Sequence, residues 1–299
     1  MFRKFRHRYL EPAAASLLIA AGKYCPRFIA RFAALIGGFA AAPFLARKGS
    51  RMDVNIRNVA VPLGLKVTSR KLAGNMMLGF MDFLRSSRLS DEKFRELVQV
   101  RGAEHLTGAL REGKGVIAIT AHYSAWELIP RAVSLLGASV GVVGRKLWNP
   151  RVSSALDRLR AEPGIALVDR GAPATGLIRL LRKNTAVGIL IDQDTITVES
   201  SFQPFLGLAA RTPVGPAGIA IRYGVPILTL HIASRGKSGY LLTIDPVFDT
   251  DDFTGANGIE LLTAELNRRI GEWIIDDPDQ WIWFHKRWDR RPPGSSGLR

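Results

Sequence analysis

The sequence predicts an α/β fold, a mixed, mostly parallel sheet flanked by helices, preceded by an N-terminal membrane-anchoring helical segment. Two observations carry that prediction. Short apolar runs rich in β-branched residues, near 115–120, 138–144, 165–169, 186–192 and 226–231, alternate with helical patterns. Such alternation marks strands joined by crossover helices and covered on both faces. Ahead of them stand two apolar stretches, 13–21 and 32–46, separated by Lys23, Pro26, Arg27 and Arg31. Neither reaches the roughly 18–20 residues of an uninterrupted span. Basic residues within and just after them argue against a signal peptide. They read instead as an embedded or interfacial anchor held at the cytoplasmic leaflet by its Arg and Lys flanks, beginning with Arg3, Lys4, Arg6 and Arg8. A pair of Ala-rich helices packed on the domain is the competing reading.

The elements follow in order. Residues 1–48 form the basic leader and anchor, and 49–66 a polar link with Arg51, Asn55, Arg57, Asn58 and Pro62. Ser69 caps a helix whose Leu72, Met76, Met77, Phe80, Phe83 and Leu84 recur at three and four, a buried stripe. The run 115–120 is a buried strand. A helix follows it with Trp126, Ile129, Val133 and Leu136 at helical spacing and Ser124 as its N-cap. Residues 241–247 can add a strand, and 259–275 a late helix with Leu261, Leu262, Leu266, Ile270 and Ile274 on one side. The α/β domain is thus 49–289, and 290–299, made of Pro, Gly, Ser, Leu and Arg, is a disordered tail.

A chain of 299 residues buries a sizeable core. Its net charge of +16 and pI near 10.6 call for an acidic partner. Nucleic acid, anionic lipid headgroups and an acidic carrier protein all qualify. Basic residues spread along the whole chain, without zinc-finger spacing or an RNP-type aromatic motif, disfavour nucleic acid. A lone Cys25 excludes an intramolecular disulfide and any Cys-rich zinc site.

The hexapeptide His122-Tyr123-Ser124-Ala125-Trp126-Glu127 puts a histidine and a carboxylate at one strand–helix turn. Glu127 there can orient His122 and stabilise it when protonated, as a general base requires. The same Ser124-x-x-Glu127 also reads as a capping box. In open α/β sheets ligands bind beyond the carboxyl ends of the strands. His122, Arg145 and Asp192 each fall just after a predicted strand. Other motifs fail. Gly108 to Lys114 mimics a P-loop but lacks the Ser/Thr and precedes a strand. No nucleophile elbow or zinc helix appears. Asp251, Asp252, Asp276 and Asp277 read as turn or capping carboxylates, so no metal is expected. His285 reads as a packed or interfacial histidine rather than a second base, and His7, His105 and His231 have no partner to name.

The His-x₄-Glu turn after a buried strand resembles the first block of the glycerolipid-type acyltransferases. The fuller resemblance is to the bacterial lipid A biosynthesis (lauroyl/myristoyl) acyltransferase family. Arg145-Lys146-Leu147-Trp148-Asn149-Pro150 is similar to its second block. Leu190-Ile191-Asp192-Gln193-Asp194, followed by Phe202 to Gly207 and Thr212, is similar to its third. Tyr223-Gly224-Val225-Pro226-Ile227-Leu228 resembles the fourth, and Gln280 to Arg287 the closing segment. The likeness runs from about Arg51 to Arg287. The chain departs from it at Arg211, where a small residue belongs, and in the loop after Asp194.

The resemblance implies a cofactor-free O-acyltransferase at the cytoplasmic face of the bacterial inner membrane. It would move a fatty acyl group from an acyl carrier protein thioester to a hydroxyl of a lipid A precursor. His122 and Glu127 would be catalytic, and Arg145, Asn149, Asp192, Gln193 and Asp194 would bind substrate. Arg145 either holds a phosphate by a bidentate contact or forms a surface ion pair. Asp192 and Asp194 either orient a sugar or hydroxyl or cap a loop. Two other readings stay open: an acyltransferase for a lysophospholipid or glycolipid, with acyl-CoA as a possible donor, and a catalytically silent membrane-binding scaffold.

Overall fold

The structure, a computed structural model, describes residues 19–144, 149–161, 164–171 and 173–294, without the side chains of 150–152 and 161. Its strands are β1 (Val98–Arg101), β2 (Val116–Thr120), β3 (Val140–Gly144), β4 (Ala166–Asp169), β5 (Ala186–Leu190), β6 (Ser200–Phe205), β7 (Leu208–Pro213), β8 (Ile227–Ser234) and β9 (Tyr240–Ile244). Seven of them make one sheet in the order β1-β9-β8-β2-β5-β3-β4, while β6 and β7 pair as a separate hairpin. Only the β8–β9 pairing in the large sheet is antiparallel. The mixed, mostly parallel sheet is therefore present, with β2 near its centre and buried at every residue. Alternate residues of β2 serve opposite faces, as strand geometry requires. Ile117 and Ile119 join one core cluster with Trp281, Trp283 and Trp288, and Val116 and Ala118 join another.

The helices are α1 (Arg27–Leu45), α2 (Arg51–Asn55), α3 (Ser69–Ser86), α4 (Asp91–Leu97), α5 (Ala103–Leu110), α6 (Ile129–Ser134), α7 (Pro150–Ala161), α8 (Thr175–Leu181), α9 (Gly215–Tyr223) and α10 (Gly258–Asp276). Among the described residues, α1 alone is long and apolar enough to cross a membrane. It starts before the apolar stretch seen in sequence and takes in Arg31. Its inner face of Ala30, Ala34 and Gly38 is buried against α3. The two backbones approach so closely that a Cβ at Gly38 would stand 2.6 Å from the Arg70 carbonyl oxygen, so only glycine fits there. The outer face carries exposed Phe28, Phe32, Leu35 and Phe39, spaced to form one stripe along the helix.

Three expectations change. The segment 49–66 is not a polar link: α2 runs into a π turn at Ile56–Ala60, and Met52, Val59 and Ala60 are buried in the core. Within it Asn55 Nδ2 donates to the carbonyls of Trp283 at 2.7 Å and His285 at 2.9 Å. The α3 stripe is only partly buried. Leu72, Phe83 and Leu84 are inside, whereas Phe80 and Met77 remain exposed, Met77 reaching over Gly37 of α1. Finally, β1 and the β6–β7 hairpin lack a sequence signal. β1 follows α4 with no turn between them, and Pro204 and Pro213 argue against strands on either side of the hairpin.

Candidate active site

Strand register builds the site. β2 and β5 are parallel neighbours with Thr120 opposite Leu190. His122 and Asp192 each lie two residues further on, so they emerge side by side on the same face. His122 Nδ1 is 2.8 Å from Asp192 Oδ1, and the His122 backbone N–H donates to Asp192 Oδ2 at 2.9 Å. Trp281 Nε1 donates to that same Oδ2 at 2.9 Å. Asp192 is wholly buried. Burial alone would raise its carboxyl, but the charge of His122, the hydrogen bond to it, and further contributions from His285 and Trp281 hold it well below the usual carboxylate range. An ionised Asp192 keeps the proton on His122 Nδ1 and leaves the Nε2 lone pair free.

The carboxylate facing His122 is therefore Asp192 and not Glu127. Both Glu127 oxygens accept from Arg160 on α7, from Nε at 3.0 Å and from Nη2 at 2.5 Å. The reason is local. Instead of entering a helix capped by Ser124, the chain makes a 3₁₀ turn at Trp126–Leu128 before α6. Ser124 takes a left-handed φ of 50°, and its buried hydroxyl finds no partner among the described residues, so the capping box does not form. Trp126 then packs against the His122 ring, with centroids 5.2 Å apart.

Other expected residues disperse or gain new partners. Arg145 lies outside the described residues. Asn149 is half-buried just before α7, its carbonyl accepting from the Ser153 N–H at 2.9 Å. Asp194 is engaged by Arg290 at 3.2 Å and Arg211 at 3.9 Å, which gives the unexpected Arg211 a partner. That contact also shows that the C-terminal segment is bound at Arg290; residues 295–299 are outside the described chain. Gln193 stands beside His122, with Nε2 3.1 Å from its Nε2.

His285 was expected to be a packing residue, yet its ring lies 4.9 Å from that of His122 and its Nε2 is 2.9 Å from Gln193. A network under the third and closing blocks holds its segment. Buried Arg287 donates to the Arg211 carbonyl, Thr212 Oγ1 and Asn267 Oδ1, and stacks over Phe205. Only a fold could bring His285 across from the far end of the chain, and no spacing rule reveals it.

A cavity of about 570 Å³ runs from His122, Gln193, Glu127 and Arg160 down one face of the sheet. It is also lined by apolar Ala118, Gly188, Val140, Val142, Ile129 and Val133, with Thr120, Asp157, Asp169 and Arg170 among the polar residues. Its floor is cut by small residues: Ala118 pairs with Gly188, and Gly188 with Val142. No group of three or more His, Cys, Asp and Glu arranged to hold a metal occurs among the described residues.

A carboxylate-backed imidazole thus opens onto a cavity with an apolar wall, and the chain's relatives show it to be an acyltransferase. The family model of the bacterial lipid A biosynthesis acyltransferase matches residues 4–290, and the chain belongs to that family. It is 26% identical to a lipid A biosynthesis palmitoleoyltransferase from Escherichia coli (strain K12), over 87% of this chain and 85% of the relative. It is 23% identical to a lipid A biosynthesis lauroyltransferase of the same organism, over 68% of this chain and 66% of the relative. A phosphatidylinositol mannoside acyltransferase from Mycobacterium tuberculosis (strain CDC 1551 / Oshkosh) is 24% identical, over 87% of this chain and 80% of its own length.

Proposed function

We propose that this acyltransferase carries a fatty acyl group from an acyl carrier protein thioester to a hydroxyl of a lipid A precursor, working on the cytoplasmic face of the bacterial inner membrane. The observation that carries the chemistry is the His122–Asp192 pair at the cavity mouth. His122 Nε2 takes the proton from the acceptor hydroxyl as its oxygen attacks the thioester carbonyl. Asp192 acts as a positioning residue, fixing the tautomer and offsetting the imidazolium charge. The apolar cavity receives the acyl chain. A thioester is already activated, so the attack calls on no cofactor. Glu127, paired with Arg160, shapes the cavity wall instead of serving the base.

Two features support the membrane and the carrier. The exposed Phe and Leu stripe on α1 suits burial in an interface, and Arg31 and Arg70 beside it suit anionic headgroups. A net charge of +16 favours an acidic carrier protein over the smaller acyl-CoA, and Arg145 is proposed to hold a phosphate of donor or headgroup. The mannoside-acylating relative favours a glycolipid acceptor as the second reading.

The test is transfer by purified protein on anionic vesicles, with acyl carrier protein and acyl-CoA donors and lipid A precursor or glycolipid acceptors, read by mass spectrometry. The His122→Ala variant should lose about 10²–10⁴-fold in rate. Near wild-type turnover by a folded His122→Ala variant would end the base assignment. Equal rates with both donors would end the carrier reading.

A further inference from the structure

Gln193 lies between two imidazoles, and the distances define how. Its Nε2 is 3.1 Å from Nε2 and 3.3 Å from Nδ1 of His122, but meets His285 through one nitrogen, Nε2, at 2.9 Å. Near-equal distances to both nitrogens of one ring place the amide over the face of His122. A donor in the ring plane, on the Nε2 lone pair, would be far beyond hydrogen-bond reach of Nδ1. The basic lone pair of His122 thus stays open to the acceptor hydroxyl, while the directed bond of the amide goes to His285. Burial, and secondarily the charge of His122, lower His285 to about 4, so near neutral pH its uncharged ring can accept that bond.

An amide has two N–H groups, and His285 uses one. The other belongs to a nitrogen within about one hydrogen-bond length of the base, in the cavity, where the attacked carbonyl must lie. Of the two arginines that line the cavity among the described residues, Arg160 and Arg170, the first points two of its nitrogens at Glu127. We propose that Gln193 donates this second N–H to the oxyanion of the tetrahedral intermediate, and that His285 is the positioning residue that aims the amide. The role rests on the acyltransferase chemistry proposed above. The acceptor oxygen bonds to the thioester carbon, its proton passes to His122 Nε2, and the carbonyl electron pair moves onto the oxygen that Gln193 holds. Collapse restores the carbonyl, the C–S bond breaks, and the thiolate takes the proton back from His122.

Gln193→Met keeps the length of the side chain and removes the donor. It should lower kcat about 10²–10³-fold while KM for the acyl donor stays within about threefold. His285→Leu should lose a comparable factor, and the double variant should be no worse than either single one, because the pair acts as a unit. His285→Gln, whose side-chain oxygen can still accept from the amide, should regain part of the rate. Gln193→Glu, also without a donor when ionised, carries the test if Gln193→Met does not fold. Wild-type kcat in folded Gln193 variants, or additive losses in the double variant, would overturn the proposal. So would a comparable loss of kcat in Thr120→Val with Gln193→Met active, since the buried Thr120 hydroxyl, without a partner among the described residues, also lines the cavity. A wild-type protein that transfers no acyl group to any acceptor would instead refute the underlying chemistry, and this role with it.

Discussion

Changing Asp192 to Asn replaces one carboxylate oxygen by an NH₂ group, and the geometry dictates where that group goes. Oδ2 of Asp192 accepts two N–H donors, from the His122 backbone and Trp281, whereas Oδ1 faces His122 Nδ1 alone. An Asn keeps the two donors satisfied only with its carbonyl oxygen at the Oδ2 position. Its NH₂ then stands at the Oδ1 position and donates to Nδ1. That forces the ring proton onto Nε2, the atom that must accept a proton from the substrate. The size of the effect follows from precedent in triads, where a wrong tautomer costs about 10⁴-fold in kcat, roughly 5 kcal/mol of barrier. Substrate binding should change little, since Asp192 is buried behind the ring. The measurement is single-turnover transfer from acyl carrier protein, with thermal unfolding as a control and nitrogen NMR of His122 to read the tautomer. An Asp192→Asn enzyme within tenfold of wild type, its ring proton shown to be on Nε2, would refute the reasoning.

Gly188→Leu should favour short acyl donors over long ones by tenfold or more in competition assays. A Cβ there meets only ordinary contacts at 3.8 Å, and Gly188 lines the cavity, so a larger side chain takes up cavity volume. Replacing Phe28, Phe32 and Phe39 together with Ser should weaken binding to anionic vesicles by more than about tenfold, each exposed ring contributing about 1 kcal/mol or more. The melting temperature should barely move, because those side chains do not pack inside. Acidification should destabilise the fold through His231 and His285. Burial, aided by the charge of Arg101 for His231 and of His122 for His285, lowers both to about 4. The unfolded chain binds protons at about pH 6.5 and below while the folded one does not, so stability falls between about pH 6.5 and 4, on the order of 3 kcal/mol for each ring. Asp192 adds to the loss in the same sense but only below that window, as its carboxyl is held under the usual carboxylate range and the unfolded chain takes up that proton first. His231→Phe should flatten the decline of melting temperature with falling pH, and an unchanged slope would remove His231 from the account.

The parallel core was legible because strand periodicity is local: the runs around 116–120 and 186–190 announce themselves by composition. The site was legible only as far as strand ends reveal it. His122 and Asp192 both follow such ends, but which carboxylate faces the imidazole depends on β2 and β5 being neighbours in register. Sequence proximity favoured Glu127, and the 3₁₀ turn sends it to Arg160 instead. His285 was illegible for a different reason. Its place depends on Tyr123 bridging to Trp281 and on Asn55 gripping the chain at Trp283 and His285, contacts between parts of the sequence that share no pattern.

That grip by Asn55 has a consequence for the timing of synthesis. Residues from the first fifth of the chain hold the carbonyls beside His285, near its end, and β1 and β2 complete their pairing only when β9 and β8 have been made. A nascent chain emerging from the ribosome thus exposes its apolar α1 long before the closing segment with Trp281 and His285 completes the surroundings of His122. The early helix and the late-completed site are separated in time by the wiring of the fold. On the proposed function, a chain cut short anywhere before residue 281 would lack Trp281 and His285, and with them the completed site around His122.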